Sequence, residues 1–375
     1  MINFAVIGIG RMGSIHAENL ASGLVKDARL VAVCDTDIDK LKEFSKKHPE
    51  ILTFGNHTKM FESIKLDAVL VATPHYSHVG IVIHALNVGI NVLSEKPQSV
   101  AISEAQKANE VAKANSNLLY GIVYNQRTNP VYVRAKEIIA SGALGGIRRV
   151  TMIITDWYRS QFYYDQGGWR ASWSGEGGGL LINQCVHQLD ILQWLTGMPK
   201  SISATCKTVN RNITVENDVT ATFEYENGAS GTFIASGHEL YGTNRLEIAG
   251  DNGKIVIDDM ELTFIKYDKS EFEVNANVSE GYGATGAVYE HLKYEGEWRE
   301  RDERHGQQLR VVEAFTDVLM SRRASPVAYG YEGINALSII NGIYLSAYGG
   351  KKVNLPLDAK EYDIMLQKLV EGERK

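Results

Sequence analysis

Residues 4–13 constrain the fold more than any other stretch of this chain. An apolar run, Phe4–Gly8, leads straight into Gly8-Ile9-Gly10-Arg11-Met12-Gly13, and a helical pattern follows over 13–24. A G-x-G-x-x-G set between a strand and a helix serves three purposes: a tight turn, close backbone approach to a pyrophosphate, and close helix–strand packing. The helix N-terminus adds N–H groups and partial positive charge for the phosphates. Gly8, Gly10, Arg11, Met12 and Gly13 are therefore expected at a dinucleotide site. Asp35 ends the second apolar run, 22 residues after Gly13. That spacing suits a carboxylate on the adenosine ribose diol, although Asp35 could equally cap the following helix. Asp37 and Asp39 are close and no Arg follows immediately, so NAD is expected in preference to NADP.

The pattern continues as β-α-β-α. Strands are expected at Phe4–Gly8, Leu30–Cys34, Ala68–Ala72, Asn91–Ser94 and Asn117–Gly121, with helices at about 13–24, 37–47, 77–88 and 102–115. Nearly continuous apolar strands point to a parallel sheet covered on both faces. Asp37 and Ser103 are expected helix N-caps. Beyond about residue 125 the pattern changes. A helix at 128–140 ends at Ser141-Gly142, and a strand at 147–155 and a helix near 179–196 follow. Strands are then expected at 201–208, 218–225, 230–236, 245–249, 253–258 and 261–267, with turns at Glu226-Asn227-Gly228 and Asp251-Asn252-Gly253. Two helices, about 305–321 and 331–348, are expected to close the chain; 268–304 carries no clear pattern. The expected fold is a doubly wound Rossmann sheet over residues 1–122, followed at 123–375 by an open-faced, mostly antiparallel sheet with helices on one face. The terminal helices can pack back on the first domain.

Composition narrows the class. At 375 residues two domains are expected. A net charge of −6 argues against nucleic acid as the main partner. No apolar run is long enough for a membrane span, and the N-terminus lacks the basic region and cleavage site of a signal peptide. Three scattered cysteines, Cys34, Cys185 and Cys206, give no disulfide framework. A cytoplasmic protein is expected. The ten histidines show no metal-ligand spacing, so no metal is expected.

Three motifs now share an order: Gly8-Ile9-Gly10-Arg11-Met12-Gly13, Ala72-Thr73-Pro74-His75-Tyr76-Ser77-His78 and Glu95-Lys96-Pro97. Asn125-Gln126-Arg127, Gly177-Gly178-Gly179 with His187 and Asp190, and Arg245 with Gly250 and Gly253 extend the series. Across essentially its whole length the chain resembles the Gfo/Idh/MocA family, which includes glucose–fructose oxidoreductase and inositol dehydrogenases. The resemblance implies NAD-linked chemistry on secondary alcohols of sugars and cyclitols, in homodimers or homotetramers joined through the open sheet. It places Lys96 beside the nicotinamide ribose and the reacting hydroxyl, with Pro97 following a cis or tightly constrained peptide. It makes His187 the candidate base. Ala72, Thr73, Pro74, Glu95 and Asn125 fall at the cofactor. His78 either touches the cofactor or simply lies in the next helix turn, and Asn125 and Arg127 either border the nicotinamide or bridge the domains.

Asn183, His187 and Asp190 are spaced i, i+4, i+7 and are expected on one helix face. Many alcohol-oxidising members of the family carry Asp four residues before the His, whereas this chain has Asn183. Without that carboxylate His187 should be a weaker base, titrating near or below its ordinary value, while Asn183 can still orient the imidazole or bind a substrate hydroxyl, so both are expected at the catalytic centre. Asp190 either compensates or is a buried helix-orienting group. The segment Trp157 to Trp173 is dense in aromatics and arginine, which suits a pyranose ring as well as a core or a subunit contact. Tyr164, Trp169, Arg170 and Arg127 are expected at the substrate. His238 and His305 are left open. An NAD-dependent dehydrogenase is the leading expectation. A redox-neutral enzyme that retains NAD, of the glycosidase type, and a non-catalytic NAD- or sugar-sensing regulator are the alternatives.

Overall fold

The computed structural model describes residues 1–279, 288–294 and 306–373. Its first part alternates β1 (Ile2–Ile7), α1 (Arg11–Ala21), β2 (Ala28–Cys34), α2 (Ile38–Lys47), β3 (Leu52–Phe54), α3 (His57–Ser63), β4 (Ala68–Val71), α4 (His78–Asn87), β5 (Asn91–Ser94), α5 (Ile102–Ala114) and β6 (Tyr120–Ile122). The strands form one parallel sheet in the order β3-β2-β1-β4-β5-β6. The apolar runs are central strands: β4 is buried at every position, and Phe4 to Ile7 of β1 are buried too. Helices cover both faces, which is why these strands do not alternate in polarity. The order reverses between β1 and β4, and the carboxyl ends of the strands at such a switch point are where open α/β sheets bind their ligands.

The second part begins with α6 (Pro130–Ala140) and β7 (Ile147–Ile154). It continues with α7 (Gln161–Asp165), α8 (Leu180–Asn183), α9 (Val186–Thr196), β8 (Ser201–Lys207), β9 (Asp218–Glu224), β10 (Ser230–Ser236), β11 (Asn244–Gly250), β12 (Gly253–Asp258) and β13 (Glu261–Tyr267). After α10 (Glu271–Asn277) and β14 (Tyr289–Tyr294) come α11 (Gly306–Leu319), α12 (Gly333–Gly349), β15 (Val353–Asn354) and α13 (Ala359–Glu373). The nine-stranded sheet runs β14-β13-β12-β11-β7-β10-β9-β8-β15. Its described pairs are antiparallel except β7 with β10, which run parallel. Buried residues alternate along its strands, as in iBeBeBe for β9, because one face meets α9 and α12 and the other is open.

Three sequence expectations are corrected, and two short elements had not been expected. Ser103 does not cap α5; Ala101 holds that position without a side-chain bond, and Ser103 Oγ instead donates to Asp363 Oδ1 of α13 at 2.9 Å. The helix expected at 179–196 is two helices, broken at Gln184 and Cys185. The short β3 and α3 lack a long enough period to be read. Two helices do not close the chain: β15 and the 15-residue α13 follow them, the helix burying Tyr362 and Leu366. Among the described residues no helix is long and apolar enough to cross a membrane.

α11 leaves the second sheet and packs on the first domain. Val311, Val312 and Phe315 join the cluster around Phe4, Val6 and Leu93, and Phe315 and Phe4 are 6.2 Å apart between ring centroids. A Cβ added at Gly121 would come within 3.0 Å of the Phe315 ring, so that ring fills its site without slack. Phe315→Ala should cost about 3–5 kcal/mol, the range for deleting a fully buried aromatic ring, measured by urea unfolding followed by circular dichroism. A loss below about 1 kcal/mol would mean that this helix does not close the first core.

Candidate active site

The glycine loop is shaped by what presses on it. Gly8 has φ +86°, and a Cβ there would lie 2.8 Å from the Ala72 backbone. A Cβ on Gly13 would lie 1.7 Å from Gly8 O, so α1 sits directly on the turn. A Cβ on Gly10 would meet nothing within 4 Å. α1 starts at Gly10 with no side-chain cap and no acidic residue in its first turn, leaving its leading N–H groups for an anion. Arg11 is exposed beside them and Met12 half-buried. Asp35 Oδ2 accepts Ile9 N at 2.8 Å and Oδ1 accepts Asp37 N at 2.9 Å. The carboxylate thus ties the loop to the end of β2, and each oxygen keeps a lone pair for a ribose hydroxyl. The cap of α2 is Asp37, which accepts from Asp39 N and Lys40 N.

The loop after β4 carries Ala72, Thr73 and Pro74, and Thr73 Oγ1 is buried without a partner among the described residues. Asn125 Nδ2 donates to Gln307 Oε1 at 3.1 Å, while its buried Oδ1 has no partner among them. Open space at Gly10 and unmet polar atoms at Thr73 and Asn125 fit a bound dinucleotide.

Lys96 follows β5, and the Lys96–Pro97 peptide is cis. Lys96 Nζ donates to Asn183 O at 2.8 Å, joining the first sheet to the end of α8. Burial lowers the Lys96 pKa, and the charges of Glu95 and Glu176 work against that. His187 lies at the start of α9, half-buried, its Nδ1 without a partner among the described residues. Burial, with the Lys96 charge beside it, pushes the imidazole down to about 3, so the ring is neutral at pH 7. Below Lys96 lies a carboxylate that sequence reasoning missed. Glu176 is 3% exposed; Oε2 accepts Ala171 N at 2.7 Å and Oε1 accepts Asn183 Nδ2. Burial raises its pKa. Its backbone oxygen meets His75 Nδ1 at 2.9 Å, and His75 packs edge-on against Trp169 at 5.4 Å. The only sequence signal was a lone acid before three glycines. Arg170 stacks on Trp169 at 4.8 Å and on Tyr163 at 5.2 Å, and its Nη1 donates to Tyr163 Oη at 2.8 Å.

Other expected residues serve the frame. Arg127 is not available to a substrate: its side chain is 2% exposed, with Nε and Nη2 on Asp190 at 2.9 and 2.7 Å and Nη1 on Glu332 at 2.6 Å. It bridges the domains. Asp190, three residues after His187 on α9, is thus the buried group that ties this helix to Arg127. The ring nitrogens of His78 meet Pro97 O and Thr73 O at 2.8 and 2.7 Å, so His78 links the loop after β5 to the loop after β4. Glu95 is 6% exposed; it accepts His16 Nε2 at 2.9 Å and Lys96 N at 3.2 Å, and thereby ties α1 to the Lys96 loop. Trp173 is core, its ring 5.0 Å from Tyr344. Tyr164 is half-buried and lines, with Arg170 and Thr214, a polar cavity of about 390 Å³. His238 pairs with Asp218 at 2.9 Å. His305 lies outside the described residues.

The three glycines before α8 are packing positions. A Cβ would strike Val100 at Gly177, Tyr344 at Gly178 and Glu216 O at Gly179. Glu216 accepts Gly179 N and Leu181 N at 3.0 and 2.8 Å, and burial pushes its carboxyl up to about 7.

Comparison with known proteins agrees with this geometry. Residues 2–122 match the oxidoreductase family, NAD-binding Rossmann fold, and residues 132–256 match the GFO/IDH/MocA C-terminal domain. Scyllo-inositol 2-dehydrogenase (NAD(+)) of Bacillus subtilis is 27% identical over 73% of this chain and 79% of its own length. Myo-inositol 2-dehydrogenase of Thermotoga maritima is 27% identical over 70% of this chain and 77% of its own. Among solved structures, the WlbA dehydrogenase from Bordetella pertussis in complex with NADH and UDP-GlcNAcA has TM-score 0.78 and 25% identity, covering 95% of this chain and 99% of that one. With both of its domains matched, this chain belongs to the Gfo/Idh/MocA family of NAD-binding oxidoreductases.

Proposed function

We propose that this oxidoreductase acts on a secondary ring hydroxyl of a sugar, cyclitol or glycoside, with NAD preferred over NADP. The reading rests on one juxtaposition: Lys96, at the end of β5, meets Asn183, with His187 and Glu176 close by, on the rim of the dinucleotide crevice. Gly8, Gly10, Arg11, Met12, Gly13, Asp35, Ala72, Thr73, Pro74 and Asn125 would hold the cofactor. Bound NAD would supply a hydride acceptor. The neutral His187 takes the hydroxyl proton, and the Lys96 ammonium stabilises the oxygen as negative charge develops on it. Trp169 offers a flat face to ring C–H groups, and Arg170 offers donors to hydroxyls. In this reading residues 1–122 bind the cofactor and 123–375 the substrate, in the cytoplasm. Copies pair through the open sheet, where Thr151, Thr232 and Glu247 form one cross-strand row and Ile153, Ile234 and Arg245 the next.

Inositols, aldoses and aryl glycosides should divide into substrates and non-substrates by NADH absorbance at 340 nm. Lys96→Ala should lower kcat/KM at least about 100-fold, the scale for removing one electrostatic stabiliser, while NADH still quenches tryptophan fluorescence. Cofactor retained through gel filtration with no NADH formed from any sugar would favour the redox-neutral alternative. A higher kcat/KM with NADP than with NAD would contradict the role of Asp35.

The low pKa of His187 has a second consequence. As pH falls from 6.5 towards about 3, the unfolded chain takes up a proton at this residue that the folded chain refuses. Stability is therefore lost on acidification through that window, by up to about 1.4 kcal/mol per pH unit. His187→Gln should show a shallower fall in urea-unfolding stability between pH 6.5 and 5. Equal slopes in the two proteins would mean that His187 titrates normally.

A further inference from the structure

The side chain of Asn183 has one amide group and two possible orientations. Which one it adopts decides whether the cleft meets an acceptor or a donor. Glu176 settles the matter. Its carboxylate is 3% exposed and, when ionised, can only accept; Oε2 already takes Ala171 N at 2.7 Å, and Oε1 takes Asn183 Nδ2. Asn183 must therefore turn its NH₂ inward. Among the described residues no group donates to its Oδ1, and the residue is half-exposed. The backbone oxygen of the same residue holds Lys96 Nζ at 2.8 Å. We propose that Glu176 is a positioning residue which fixes Asn183 with its carbonyl oxygen toward the cleft, giving the site a neutral acceptor for a substrate hydroxyl backed by a buried negative charge. The carboxylate that many alcohol-oxidising relatives carry four residues before the His is then displaced by one hydrogen bond rather than lost.

This deepens the function proposed above and rests on it for the identity of the substrate. The hydrogen-bond polarity of the pair stands apart from it. The charged and titratable groups around Glu176 are Lys96 on the β5 loop, Arg170 on the aromatic segment and His75 before α4, with Glu95 and His187 beyond Lys96. Burial raises the Glu176 carboxyl, in keeping with a charge sequestered from water.

Three variants test the pair. In Glu176→Gln, the amide oxygen stays on Ala171 N and its NH₂ faces Asn183. Asn183 must flip and present NH₂ to the cleft. KM for the best substrate among myo-inositol and glucose should rise about tenfold or more, the effect of about one pKa-unit equivalent of lost interaction, with NADH affinity unchanged. In Asn183→Asp two carboxyls touch, and they cannot both ionise in place. At pH 5.5 a protonated Asp donates to Glu176 and mimics Asn, so activity is retained; by pH 8 it is lost. Glu176→Gln with Asn183→Asp restores an inward donor and an outward acceptor, and should recover activity at pH 8 above either single variant.

Thermal melts of the same proteins give a readout independent of turnover. Asn183→Asp should lose melting temperature between pH 5.5 and 8 relative to wild type, and the double variant should not. Turnover of neither sugar by wild type would count against the proposed function alone, and the melts would still decide the pair. A double variant no better than the singles in activity and in melts overturns the proposal. So does an Asn183→Asp protein that is fully active and equally stable at pH 8.

Discussion

The Arg127–Asp190 pair is the contact on which the relation between the two sheets depends. Arg127 follows the last strand of the first sheet, and Asp190 sits mid-way along α9, the helix that carries His187. Both are buried, and the bidentate geometry uses the Nε–Nη2 edge of the guanidinium while Glu332 takes Nη1. Such a pair adds little net stability over an apolar substitute, but losing one partner leaves a buried charge and costs about 3–5 kcal/mol. Its value is in register. It holds α9, and with it His187, against the turn that follows β6. Tyr124 and Trp194 pack against the guanidinium at 5.4 and 5.6 Å and keep water from it.

Much of the first sheet was legible because its strands are apolar throughout and its helices amphipathic, and neither period can pass for the other. Asn91–Ser94, 230–236, 253–258 and 261–267 were located to the residue. Short elements were not: β3 has three residues, and Leu52 and Thr53 are exposed, so it carries no buried pattern. The terminal α13 was missed because only Tyr362 and Leu366 are fully buried, while Ala359, Met365, Leu369 and Val370 are half-buried at the margin of the core. A helix lying at the edge of the core and tied by polar bonds such as Ser103–Asp363 leaves a faint sequence signature.

At the site, Lys96 and His187 were legible by resemblance and the glycine loop by spacing. What spacing could not supply was orientation. The i, i+4, i+7 rule assumed one unbroken helix, and the break at Gln184 and Cys185 separates Asn183, at the end of α8, from His187 and Asp190 on α9. Glu176 escaped notice because its side-chain partners, Ala171 and Asn183, lie five residues before and seven after it, a spacing that belongs to no regular element. The glycine run does lead into a helix, with Gly179 at the N-cap of α8. It also marks three places where the neighbouring elements leave no room for a Cβ, so that the crossing of Val100, Tyr344 and Glu216 is itself what the glycines record.

The single parallel pair in the second sheet, β7 with β10, has a bearing on how the molecule assembles. Parallel neighbours cannot be joined by a hairpin and need a long crossover. Here that crossover is residues 155–229, which include the aromatic segment, Glu176, the glycine run, Asn183, His187 and Asp190. The central seam of the sheet can close only once this segment has been laid down and β10 has arrived. Loop closure over such a distance is slow and entropically costly. The chain has thus made completion of its larger sheet conditional on folding the candidate site, and the two should form and melt together as one cooperative unit.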